Sequence, residues 1–225
     1  MGNVNYHIEQ QSDIDMDGMA KDAYPASTDP GKVAKNTSSV IRYPGSRTQM
    51  DQCMERVFIV GFPRSGTTLV HGILAASDVV LTFPETHYFA RRFTGPIWKR
   101  MLVGRRRQLD NIIAIIFALR KRETMWKKIN PQLPDSSVDR FVFAITALAL
   151  EEEKSVWVEK TPRHLYAIDK IQETSPTATF IHVLREPVGA VKSYSRATSE
   201  NPKDWSGKVD IPRSVKRWNS DLAQS

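Results

Sequence analysis

Residues 57–70 read Val-Phe-Ile-Val-Gly-Phe-Pro-Arg-Ser-Gly-Thr-Thr-Leu-Val, an apolar run that enters a loop of glycines and hydroxyls and leaves it as a helix. Gly61 and Gly66 have the spacing of the two glycines in a phosphate-binding P-loop, where backbone N–H groups and a helix N-terminus face an anion. Arg64 and Ser65 add a cation and a hydroxyl between them. Where an ATPase loop carries Lys before Ser or Thr, this chain has Thr67 and Thr68. Both the phosphate lysine and the usual magnesium arrangement are therefore missing, and the expected chemistry is phosphate holding without ATP hydrolysis.

Two further segments bring charge to places where strands should end. One is Glu159-Lys160-Thr161-Pro162-Arg163-His164; the other is Arg185-Glu186-Pro187, with Ser193 and Arg196 in the helix that follows. Ser193 and Arg196 are three residues apart and so share a helix face. Surface pairing with carboxylates would account for either arginine alone. Cations at the ends of three strands argue instead for a shared anion.

The elements that must position these groups alternate along the chain. Strands are expected at 56–60, 79–83, 156–159 and 178–184, and helices at 66–76, 137–153, 164–173 and from Pro187 onward. Residues 97–128 form a mainly helical region with a break expected near Gly104, and Asp135 or Ser136 can cap the helix at 137. Strands with helices between them imply parallel pairing. The expected fold is α/β, P-loop-like and three-layered, with a central mainly parallel sheet flanked by helices. Ligands of such sheets sit at the carboxyl ends of the strands, which groups the loops after Val60, Val158 and Leu184.

The segment Phe62-Pro63-Arg64-Ser65-Gly66-Thr67-Thr68-Leu69 resembles the 5′-phosphosulfate loop of sulfotransferases that use 3′-phosphoadenylyl sulfate (PAPS), above all their tyrosylprotein and bacterial branches. Phe180-Ile181-His182-Val183-Leu184-Arg185-Glu186-Pro187, continuing through Ser193 to Arg196, resembles their 3′-phosphate element. The resemblance spans residues 57–196 in the right order. It implies that Arg64, Ser65, Gly66, Thr67 and Thr68 grip the phosphosulfate. It further implies that Arg185, Ser193 and Arg196 hold the 3′-phosphate, that Lys160 stabilises the bridging oxygen, and that Glu85 in Phe83-Pro84-Glu85-Thr86-His87 is the general base. Arg64 would also assist the transfer, and no metal is required. His87 competes with Glu85 for the base role, because its ordinary pKa suits proton transfer at neutral pH and an extended segment puts both side chains on one face. His71 and His182 read as packing residues.

Composition sets the remaining bounds. The chain has 225 residues, 40% of them hydrophobic, and can bury one sizeable core. Residues 1–54 are polar, carry no apolar periodicity and are expected to be a disordered extension; 55–225 form the sulfotransferase-like domain, expected to be incomplete at its C-terminal end. A single cysteine, Cys53, and the absence of a signal-peptide pattern fit a cytoplasmic protein. The net charge of +7 favours anionic partners. PAPS and an unidentified hydroxyl or amine acceptor are the expected partners, with no nucleic acid. The basic residues between 98 and 128 read either as the solvated face of an amphipathic helix or as a contact for a membrane surface or anionic glycan. Two other functions compete: a noncatalytic, degenerate sulfotransferase fold that binds nucleotide or anionic surfaces, and a P-loop kinase or NTPase. The latter needs a loop lysine and a strand-end aspartate, where this chain has Thr67 and Arg185.

Overall fold

Four short strands, each rich in β-branched and aromatic residues, pair in parallel in a computed structural model that describes residues 54–93, 104–205 and 207–224. They are β1 (Glu55–Gly61), β2 (Val80–Thr82), β3 (Val156–Lys160) and β4 (Thr179–Val183), in the order β2-β3-β1-β4. Phe58, Ile59, Val60, Trp157 and Val158 are fully buried, as central parallel strands covered on both faces require. The registers pair Ile59 with Lys160 and Gly61 with Val183, so the strand ends carrying the loops of interest are level.

The helices are α1 (Thr67–Ala75), α2 (Tyr88–Phe93), α3 (Gly104–Leu119), α4 (Glu123–Ile129), α5 (Ser137–Glu151), α6 (Ile168–Thr174), α7 (Pro187–Glu200) and α8 (Ile211–Leu222). The main core joins β1 to α2, α3 and α5. Phe58 meets Trp157 and Phe89 edge-on at 5.3 and 5.6 Å, and Phe141 of α5 packs against Tyr88, Phe89 and Trp157. A second cluster, Phe62, Ala190 and Tyr194, seats α7 beside the loop after β1.

The mixed α/β fold with a central parallel sheet matches the expectation from the sequence; two elements differ in detail and one interruption is added. α3 begins at Gly104, where the break is expected, and a further interruption falls at Lys121, whose left-handed backbone (φ 56°) separates α3 from α4. The segment after β3 starts as a 3₁₀ turn, Pro162–Ala167, with His164 N–H on Thr161 C=O at 2.9 Å, and becomes α-helical only at Ile168. β4 has one described neighbour, and its residues are exposed or half-buried despite their apolar pattern. On α3 the apolar stripe Leu109, Ile112, Ile113, Ile116 and Phe117 is buried while Arg106 and Arg107 are exposed, the amphipathic arrangement. Residues 1–53 of the extension expected at 1–54, and the segment Trp98-Lys99-Arg100, lie outside the described residues.

Candidate active site

β1 ends at Gly61, whose φ of 147° suits glycine; a Cβ there would stand 2.6 Å from the Val183 carbonyl oxygen. This close approach brings the loop against the end of β4. The loop then turns through two left-handed residues, Arg64 (φ 71°) and Gly66 (φ 104°). Gly66 is the N-cap of α1 and supplies no side-chain cap, so the first N–H groups of the helix are left for an external acceptor. Ser65 is buried, and its Oγ has no hydrogen-bond partner. Arg185 donates from Nη1 to the Arg64 carbonyl at 3.1 Å, and Arg64 donates from Nε to Ser193 Oγ at 3.4 Å. Loop, strand end and α7 are thereby tied together, and Glu186 caps α7 by accepting from Gly189 N–H at 2.5 Å. Arg196 stands apart: it is exposed and pairs with Glu200 at 3.1 Å.

The end of β3 supplies the second group. Lys160 is buried, forms an ion pair with Glu85, and donates to Thr68 Oγ1 at 3.5 Å. Glu85 Oε2 lies 3.5 Å from His87 Nε2. His87 has a left-handed backbone (φ 51°), uncommon outside glycine although histidine takes it more readily than most, and its Nε2 faces Glu85. Burial lowers the His87 pKa from 6.5; Glu85 and Glu159 oppose the shift, while His164 and Arg91 add to it. The ring is therefore neutral at pH 7 and able to take a proton. Thr68 and Arg64 belong to one loop, so both groups share it.

Under this surface lies a layer that the sequence did not single out. Glu159 is fully buried, and its Oε1 accepts from Thr86 Oγ1 (2.8 Å), Thr161 Oγ1 (2.7 Å) and the Thr86 N–H (3.3 Å). Its Oε2 lies 2.7 Å from His164 Nδ1. Burial alone would push the Glu159 carboxyl up; the His164 ring beside it and the hydrogen bonds from Thr161 and Thr86 outweigh it and hold the carboxyl well below its usual range. His71 on α1 is also buried, with Nε2 unpartnered, and burial followed by the Lys160 charge lowers its pKa. The only signal for Glu159 in the sequence was its place next to Lys160.

The structure thus joins Arg64, Arg185 and Ser193 in one set and Glu85, Lys160, Thr68 and His87 in another, with Ser65, Gly66 and Thr67 in the loop between them. Such an arrangement can bind an anion at the loop and move a proton beside an ammonium. Among the described residues no cluster of three or more His, Cys, Asp or Glu could hold a metal ion, and no helix is long and apolar enough to cross a membrane.

Among solved structures, the chain is similar to the crystal structure of sulfotransferase STF1 from Mycobacterium tuberculosis H37Rv, at 16% identity and a TM-score of 0.34, covering 80% of this chain. The matched part spans 62% of that protein's chain. No curated protein matches. The model of the Sulfotransferase family matches residues 56–225. With that match across most of its length, the chain belongs to the sulfotransferase family.

Proposed function

We propose that residues 55–225 transfer a sulfonate group from PAPS to a hydroxyl or amine of an acceptor. The observation that carries this reading is Lys160, whose ammonium touches Thr68 of the anion loop and Glu85 of the base pair at once. The loop fits a phosphosulfate: its helix start is uncapped, Ser65 Oγ is buried without a partner, and Gly66 leaves the space above it open, with nothing within 4 Å of a would-be Cβ. Arg185 and Ser193, already linked through Arg64, fit a second phosphate. Arg196 completes that set by exchanging Glu200 for the phosphate, a small cost for an exposed pair.

In the transfer the bond from sulfur to the 5′-phosphate oxygen breaks and its electron pair stays on that oxygen. The acceptor oxygen or nitrogen bonds sulfur and gives its proton to Glu85, with neutral His87 beside it. Lys160 leaves Glu85 to neutralise the departing oxygen, which preorganises charge where it develops. This logic parallels phosphoryl transfer, in which positioning and electrostatics do most of the work. The test is incubation of the protein with ³⁵S-labelled PAPS and a metabolite extract of the source cell. Label recovered in a new product is the expected result; PAPS binding with no labelled product would support the noncatalytic fold instead.

A further inference from the structure

Four consecutive backbone N–H groups in the segment that carries the base pair donate into a single side-chain network. Thr86 N–H goes to Glu159 Oε1 (3.3 Å), His87 N–H to Thr161 Oγ1 (3.2 Å), Tyr88 N–H to Thr86 Oγ1 (3.1 Å) and Phe89 N–H to His164 Nε2 (3.1 Å). Each of those acceptors is Glu159 or a side chain in contact with it. We propose that Glu159 is the positioning residue of this site, setting where Glu85 and His87 stand relative to Lys160. The role given to those three groups rests on the sulfotransferase reading.

Hydrogen direction links these groups to one another. An ionised carboxylate only accepts. Thr86 and Thr161 must therefore both point their hydroxyl hydrogens at Glu159, which turns their lone pairs toward the N–H groups of Tyr88 and His87. His164 Nε2 accepts from an amide, so the ring proton sits on Nδ1, facing Glu159 Oε2 at 2.7 Å. One buried charge orients every member. Adjacent residues of the two segments also match in pairs: Glu85 meets Lys160, and Thr86 meets Glu159. The same network holds His87 in its left-handed conformation, which it would leave readily without that support. A network of this kind fails as a unit when one acceptor becomes a donor.

Glu159→Gln makes that change. Its amide has one donor end and one acceptor end, so its hydrogens meet either the Nδ1–H of His164, whose proton could move to Nε2 only against the Phe89 N–H, or the hydroxyl hydrogens of Thr86 and Thr161. Nitrogen-15 NMR of the histidine rings in the intact chain should show His164 as the Nδ1–H form in the wild type, and in the variant that signal should shift or be lost. The charged and titratable groups around His87 are Glu85 in its own segment, Glu159 from β3, His164 from the 3₁₀ turn and Arg91 from α2. Removing the Glu159 charge should move the His87 titration to lower pH. The ³⁵S transfer rate should fall at least tenfold with KM for PAPS unchanged, and affinity for 3′,5′-diphosphoadenosine should stay within twofold. Thr86→Val, which removes one hydroxyl at constant volume, should lower kcat by a smaller factor and leave the His164 form intact; it decides the matter if Glu159→Gln does not fold. A folded Glu159→Gln protein with unchanged histidine signals, or with unchanged kcat, overturns the proposal. Failure of the wild type to bind 3′,5′-diphosphoadenosine would instead overturn the donor reading, and the histidine signals would still decide the role of Glu159.

Discussion

Lys160 touches the anion loop through Thr68 and the base pair through Glu85, so single substitutions there separate binding from chemistry. Lys160→Ala should lower the transfer rate by about a hundredfold to a thousandfold, the usual loss for a positioned transition-state donor, with affinity for 3′,5′-diphosphoadenosine nearly unchanged. Single-turnover kinetics reads the first quantity and calorimetry the second. Glu85 and His87 can be told apart in the same assay. Glu85→Gln should cost about a hundredfold or more in kcat, the scale of a general base. His87→Asn, which tolerates the left-handed backbone, should cost less than tenfold. The reverse order of losses would make His87 the base, and the rate would then fall with acid through a histidine pKa below 6.5.

At the scale of elements, the contact between β1 and β4 and the layer under β3 make separate predictions. Gly61→Ala places a Cβ 2.6 Å from the Val183 carbonyl oxygen at a φ of 147° and should destabilise the fold by about 2 kcal/mol or more. Gly66→Ala meets no atom within 4 Å and should cost only the left-handed backbone, about 1 kcal/mol. Urea midpoints of the two variants test the order; equal losses would refute the close approach. Glu159 makes a pH-dependent contribution. Its folded pKa lies below the ordinary 4.5, so its stabilisation is complete above pH 4.5 and is lost as pH falls through the depressed value. The stability gap between wild type and Glu159→Gln should therefore narrow across that window. A gap that stays constant with pH would contradict the depressed carboxyl.

For the whole molecule, reach in sequence decides what could be read without the structure. The glycine loop, the Arg185 element and the parallel sheet were legible because each announces itself in a few neighbouring residues. The Glu159 network was not: Thr86 lies 73 residues from Glu159, and only the packing of the Thr86 segment beside β3 brings them together. The interruption at Lys121, between α3 and α4, was not legible, because lysine does not advertise a left-handed turn. The ion pair of Lys160 with Glu85 also spans 75 residues, and only the resemblance to known sulfotransferases linked the two beforehand. The central claim is that the Arg64 loop and the Arg185 element together form a site for an adenosine 3′-phosphate 5′-phosphosulfate. Calorimetric titration of the wild type and of Arg185→Ala with 3′,5′-diphosphoadenosine tests it most directly. The wild type should bind at one site per chain and Arg185→Ala should lose at least tenfold in affinity; no binding by the wild type, or equal binding by both proteins, would overturn the two-phosphate site.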